Sequence, residues 1–513
     1  MRPLPSLLYG ALSAAILSAA LLAQPAQPPE VKELQAAQAL ADPAARLREL
    51  ERILAAHPAS TLKPMIESQI AGLRVTLAPT LEEILAIQQK ALAAASGSGF
   101  VTGPGSAARQ ILDHPKLASF DKGKVLAAVQ AYRDQGRKAA ADPAVAAATE
   151  ERTREYLPMM AGDLEVLLAR AQTHAGEPAK ALATLEAYAK ADGVAGGAYH
   201  LARADAFEAL KRPKDAYEAL VGAALENHRE GHKRAKEAYG RLQGKEEGFE
   251  AMLDARRKEL PFHPSPVKPG PAWKGKAVLA ELFTGSECPP CVAADLAVDG
   301  LLESHPPATL VVLEYHLPIP GPDPMMNPAS KQRQEYYGVN STPTLFFDGQ
   351  DKLTGGGGRS LAAAKYKQVA AKVAARVDAE PGAVLKLAGT RKGEVVEATV
   401  DLGTPVPDAT YHLALVQPAQ EHKGGNKVLV HKMVVRDLLT LAPAARAAAF
   451  DLAASEKATD AYLTDFEKTS TRFKGFTFPV RRHAIAREGL KLVLWAQDKI
   501  SHRVLQAVQA DVK

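Results

Sequence analysis

A run of twelve residues with five prolines, Pro261–Ala272 (PFHPSPVKPGPA), divides this 513-residue chain into two texts with different hydrophobic periods. Before it, apolar residues recur at i, i+3 and i+4, as in Leu47, Leu50, Ile53 and Leu54, set among Ala, Glu, Lys, Arg and Gln. After it, short β-branched runs alternate first with helical ones and then with turns. One period cannot serve one core, so the chain reads as multidomain. The expected parts are a helical region 28–260, a stiff linker 261–272, an α/β region 273–380 and a strand-rich tail 383–513. Hydrophobic residues make up 47% and charged residues 24%, a balance that excludes a disordered or collagen-like chain. The net charge of +5, from 63 basic and 58 acidic residues, is too small to point to nucleic acid.

Leu7–Ala23 (LLYGALSAAILSAALLA) is uncharged, follows Arg2 and precedes a Gln/Pro-rich stretch. It reads as a signal peptide, residues 1–23, cut near Ala23 or kept as an N-terminal anchor. The mature chain is then expected to be periplasmic or secreted, with no span of its own. Disulfides persist in such a compartment. The chain carries only two cysteines, Cys288 and Cys291, which excludes a disulfide scaffold and a Cys-rich metal cluster.

The helical region contains a repeat signal. Ala175–Ala181 (AGEPAKA) aligns with Leu210–Ala216 (LKRPKDA) at an offset of 35 residues, close to the tetratricopeptide period. Each copy puts Pro at a helix start, with Leu164–Thr173 and Tyr199–Ala209 as the preceding helices and Pro43–His57 as a further degenerate copy. Such an array offers a concave surface to a protein partner. Ser96–Ser106 (SGSGFVTGPGS) reads as a flexible loop.

Beyond the linker, Ala277–Phe283, Thr309–Tyr315 and Thr344–Asp348 read as strands. Val292–Ser304, Ser330–Tyr337 and Leu361–Val377 read as helices, an order that predicts a parallel α/β core. In the tail, Val384–Thr390, Glu394–Leu402, Thr410–Gln417, Lys427–Leu438, Phe473–His483, Lys491–Asp498 and Val504–Ala510 alternate apolar and polar. They predict an antiparallel β-sandwich-like domain. Ala444–Phe450 fits strand or helix, and the charged segment Ser455–Lys474 has no assignment.

The chemistry concentrates at Cys288-Pro289-Pro290-Cys291, after a strand and at the start of a helix. A helix N-terminus stabilises a thiolate, the nucleophile of disulfide exchange. A second cysteine three residues on can resolve the mixed disulfide, and two prolines stiffen the turn. A zinc ribbon would need a second ligand pair that the sequence lacks, and neither a cofactor nor a resident metal is expected. Thr342-Pro343 precedes the apolar strand Thr344–Phe347, where Pro is confined to a strand start or edge.

Cys288–Cys291 behind AVLAELF, together with Gly338–Thr344 (GVNSTPT), resembles the thioredoxin fold over roughly residues 265–380. The resemblance implies a cis Pro343 facing the cysteines. It makes Thr342 a backbone anchor for an extended substrate, with Pro289 and Pro290 on the contact surface, and Glu281 a proton carrier for Cys291. Glu281–Cys288 (ELFTGSEC), Glu314-Tyr315-His316 and His431–Leu439 (HKMVVRDLL, with Arg436) are similar to secreted thioredoxin-fold proteins with a β-domain behind the redox domain. Glu287 departs from the family, which carries Trp there, and a carboxylate beside Cys288 should raise its thiol pKa.

The expected function is an exported thiol–disulfide oxidoreductase acting on protein thiols or disulfides, with Cys288 as nucleophile and Cys291 as resolving thiol. Two alternatives stay open. One is a protein-binding module with a structural or regulatory disulfide. The other is a copper-handling protein in which His316 joins the cysteines. His422, His431, His483 and His502 show no ligand spacing and read as solvated or structural, and Met325-Met326 reads as core filling.

Overall fold

The computed structural model describes residues 29–191 and 193–513. The proposed signal segment Leu7–Ala23 lies outside them, and among the described residues no helix is long and apolar enough to cross a membrane. By contact the chain divides into a compact unit that ends at Tyr188 and a second that runs Ala189–Lys513.

The first unit is helical. Its breaks fall where the sequence supplies caps: Asp42 accepts from the N–H groups of Ala44 and Ala45 ahead of Pro43–Ala56, and Asp121 accepts from Lys124 ahead of Lys122–Ala140. Ile84, Ala108, Ile111, Val125, Val129 and Leu164 form its main core. The expected loop at 96–106 is instead the start of a helix, Gly99–Leu112, with Pro104 inside it. Val101, Pro104, Ala107 and Ile111 are buried along one face, so tertiary packing overrides the weak local propensity of Gly and Pro.

The second unit opens with the hairpin Gly197–Ala209 and Pro213–Leu225, followed by Arg229–Gln243 and Phe249–Lys258. Pro178 and Pro213, the paired positions of the repeat signal, each begin a helix. The Pro-rich segment 261–272 does not separate these helices from the sheet. Arg359 donates to the carbonyl of Arg257, Asn227 to that of Asn426, and Lys423 pairs with Asp254 at 2.8 Å.

Eleven strands follow: β1 (Val278–Thr284), β2 (Leu310–His316), β3 (Thr344–Phe347), β4 (Asp351–Thr354), β5 (Lys386–Lys392), β6 (Val395–Asp401), β7 (Ala409–Glu421), β8 (Val430–Leu441), β9 (Ala447–Asp451), β10 (Lys491–Asp498) and β11 (Val504–Asp511). Eight form one sheet in the order β11-β10-β7-β8-β2-β1-β3-β4, and β5-β6-β9 form a second. β1 and β2 are parallel, joined by the helix Val292–Ser304, and every residue of both is buried.

The expected parallel core is corrected at β3, which runs antiparallel to β1 with Phe283 opposite Thr344 and Ala280 opposite Phe347. The chain leaves β2 at His316, turns through a loop and the helix Pro328–Tyr337, and enters β3 at the same end of the sheet.

The tail does form two layers, with Val396, Val400, Leu413, Leu415, Leu492 and Leu494 buried between them. Its larger sheet is not separate, however: β8 runs parallel beside β2 through the pair Glu314 and Val434. The expected strand Phe473–His483 is irregular. Its Phe478 packs instead with Met326 and Leu463. Leu463 belongs to the helix Leu452–Thr469, which Asp451 caps and which fills most of the unassigned charged segment. The ambiguous Ala444–Phe450 resolves as β9.

Candidate functional site

Cys288 and Cys291 lie past the end of β1. Cys288 sits in an extended conformation ahead of a 3₁₀ turn, Pro289–Cys291, that leads into the helix Val292–Ser304. The two form a disulfide, and both side chains are buried. Pro289 and Pro290 are exposed above them. The peptide Thr342–Pro343 is cis, and so is Ile319–Pro320 in the neighbouring loop. The Thr342 hydroxyl stands 3.3 Å from Cys288 Sγ and donates to the Ile319 carbonyl at 2.8 Å. The structure therefore brings Cys288, Cys291, Pro289, Pro290, Thr342 and Pro343 together at one end of the sheet, where the parallel strands finish.

Two glycine-rich loops close over this corner. Gly357 donates to the Pro290 carbonyl at 2.6 Å and accepts from Ala293 at 3.0 Å. A Cβ at Gly356 would overlap the Pro290 carbonyl and Pro343, so only glycine allows this approach. The second loop, Lys423–Lys427, comes from the tail. Asn426 donates to the Ser286 carbonyl at 2.9 Å, and Glu287 accepts from the Gly425 N–H at 3.0 Å. A Cβ at Gly424 would overlap Ser286. Glu287 thus holds a tail loop onto the segment before Cys288.

Glu281, expected to carry protons for Cys291, has a different neighbourhood. Side chains alternate across a strand, so Glu281 and Thr284 point to opposite faces. Thr284 donates to Asp295 of the cysteine-led helix at 2.6 Å. Glu281 faces away, where it takes two bonds of 3.0 Å from Arg333 and one of 2.6 Å from the Tyr337 hydroxyl. Tyr315 donates to it as well, at 3.2 Å. This network uses the carboxylate fully, and none of its members is a cysteine.

The acid on the cysteine side is Asp295, one helical turn after Cys291. Its second oxygen is buried with no hydrogen-bond partner. Burial pushes its carboxyl well above the ordinary range, and the nearby charge of Glu314 adds to the effect. Asp299, one turn further, is pushed up to about 7 by burial, against the pull of Lys432.

On the same face, β2 and β8 build a second polar cluster. His316 places Nδ1 3.0 Å from Asp323 and Nε2 2.8 Å from Glu314. His431 Nδ1 lies 3.6 Å from the same Glu314 oxygen. Glu314, His316 and His431 thus put three donor atoms within 4.8 Å of one another. Burial opposes the His316 charge, but Asp323 and Glu314 together push it up to about 10. Burial likewise opposes the Asp323 charge, yet His316 and the N–H groups of Ser286 and Met325 hold the carboxyl below the usual range. The 2.5 Å bond from Ser286 N to Asp323 ties this cluster to the cysteine loop.

Sequence reasoning left His431 among the structural histidines because its partners lie more than a hundred positions away on another strand. Arg436 is also structural: it donates to the carbonyls of Arg482, His483 and Ala484.

No protein family and no curated protein matches the chain. Among solved structures, the crystal structure of a protein from Agrobacterium tumefaciens is similar at 16% identity over 45% of this chain and 92% of its own, with a TM-score of 0.28.

Proposed function

We propose that this chain is an exported thiol–disulfide exchange protein of thioredoxin-like character, with Cys288 and Cys291 as its working pair. The observation that carries the reading is the cysteine pair seated beside Thr342–Pro343, with the Thr342 hydroxyl 3.3 Å from Cys288 Sγ. A substrate thiolate attacks Cys288 Sγ, the S–S bond breaks, and its electron pair leaves on Cys291. A second substrate thiolate then attacks the mixed disulfide and displaces Cys288. The substrate dithiol is oxidised and the protein pair reduced; run backwards, the same steps reduce a substrate disulfide. The direction follows the potentials of the two pairs. The group read as exchanging a proton with the departing thiolate is Asp295, a buried carboxyl one turn beyond Cys291 in sequence. The export segment fits a compartment where disulfides form and persist.

Thiol trapping tests this. Cys291→Ser should accumulate a mixed disulfide through Cys288, and the wild-type chain should turn over a reporter disulfide such as insulin. Absence of both would sink the reading. The burial of both sulfurs favours a second one, a closed structural clip. A clip would have a very low potential and no turnover, whereas an exchange pair would equilibrate with glutathione.

A further inference from the structure

We propose that Glu314, His316 and His431 form a site for one divalent first-row transition ion, set in the seam between β2 and β8. The inference does not depend on the thiol–disulfide reading, because neither cysteine belongs to the donor set.

The tautomers carry the argument. His431 Nε2 lies 3.2 Å from the His422 carbonyl, which can only accept, so the proton of a neutral His431 sits on Nε2. Its Nδ1 then holds a lone pair. That atom is buried, has no hydrogen-bond partner, and faces Glu314 Oε1 at 3.6 Å. His316 is oriented likewise, although its inner nitrogen shares a proton with Glu314. Its Nδ1 is met from outside by Asp323 at 3.0 Å, and its Nε2 meets the same Glu314 oxygen at 2.8 Å. Asp323 is fixed in turn by the N–H groups of Ser286 and Met325. Each imidazole is thus oriented by an outer acceptor while its inner nitrogen converges on one carboxylate oxygen. This is the outer shell that histidine metal ligands carry.

A proton alone does not complete the cluster. Placed between His316 and Glu314, it leaves the His431 lone pair against a carboxylate. It also leaves two buried carboxylates, Glu314 and Asp323, facing one positive imidazole, and buried charge without compensation is costly. A divalent cation that displaces the His316 Nε2 proton to solvent accepts all three lone pairs and balances both carboxylates. Two imidazoles and a carboxylate without thiolate suit zinc and its neighbours. Tetrahedral ligands at about 2.0–2.2 Å from a metal stand roughly 3.3–3.6 Å apart. The 3.6 Å edge already fits, the 2.8 Å edge must open by roughly half an ångström, and the third edge, between the two imidazoles and within 4.8 Å, must close onto the ion.

The test loads chelator-stripped full-length chain with zinc(II), measures stoichiometry by elemental analysis and affinity by competition with a chromophoric chelator, and repeats the loading with cobalt(II). The expected result is one ion per chain, retained by Cys288→Ser/Cys291→Ser, lost in His431→Ala, and weakened about 10- to 100-fold by Asp323→Asn. The cobalt spectrum of the wild-type chain should show tetrahedral d–d bands without a thiolate charge-transfer band. Zinc bound no more tightly by wild type than by His431→Ala would overturn the proposal. So would a thiolate band, which needs no variant to fold.

Discussion

Two buried ionic networks lie on opposite faces of β1 and β2, and they differ in completeness. On one face Glu281 is matched by Arg333, Tyr315 and Tyr337, and the guanidinium is further held by Gln497 at 3.1 Å and stacked 5.4 Å from the Trp495 ring. On the other, Asp295 keeps a bare oxygen and His431 a bare nitrogen. A buried network with every lone pair used rigidifies a core, while orphaned atoms under the same burial are costly unless something else engages them. The saturated Glu281 carboxylate therefore reads as architecture and the cluster with open acid and imidazole atoms as chemistry, although Trp495 Nε1 and His412 Nδ1, beside Arg333, are also buried without partners. It is the acid and imidazole cluster that reaches the cysteine loop, through Asp323 and Ser286.

The sharpest way to break this contrast is Arg333→Met. It strands the buried Glu281 carboxylate and should cost about 3–5 kcal/mol in urea unfolding, with part restored by adding Glu281→Gln. A cost below about 1 kcal/mol would mean that the face is not locked. Gly356→Ala should come next. The new methyl must push the Pro290 turn aside, lowering stability by about 1–3 kcal/mol and speeding reduction of the disulfide by dithiothreitol. Unchanged reduction kinetics would show that the glycine loop does not guard the sulfurs.

Thr342→Val removes the hydroxyl beside Cys288 and leaves the Ile319 carbonyl unpaired, for about 1–1.5 kcal/mol. Its reduction rate should shift more than that of a Val substitution at a distant exposed threonine. The smallest effect is protonic. Burial, with the charge of Arg333, lowers His412 to about 3. The unfolded chain takes up that proton first, so its contribution is whole above about pH 6.5 and is lost as the pH falls toward 3. Between pH 7.5 and 6 this removes less than about 1 kcal/mol, and His412→Gln should flatten that part of a Tm profile.

Much of the cysteine corner was legible because its signals are local: a strand, two cysteines one turn apart, a Pro ahead of a second strand. The distance of Glu281 from the cysteines along the chain says nothing about the face it takes; its parity relative to Thr284 does, and sets it with Arg333 and Tyr337. The close backbone approach at Gly356 and Gly424 leaves no trace in the sequence beyond glycine itself. Ser96–Ser106 reads as a loop from its Gly and Pro, yet most of it starts the helix Gly99–Leu112, because tertiary burial of Val101 and Ile111 outweighs what Gly and Pro prefer alone. His431 could not be joined to His316 without knowing that β8 lies beside β2. The unassigned segment Ser455–Lys474 carried a helix whose start signal, Asp451, sat just ahead of it.

The contact of β2 with β8 bears on how the molecule can be taken apart. A piece ending near residue 380, the natural cut suggested by the sequence, would remove β8, the strand that lies beside β2 at Glu314. Its open edge would present LVVLEYH, apolar and β-branched, to any chain that met it. The excised piece would then be a different material, prone to pair with copies of itself, and rates or potentials measured on it would describe that assembly.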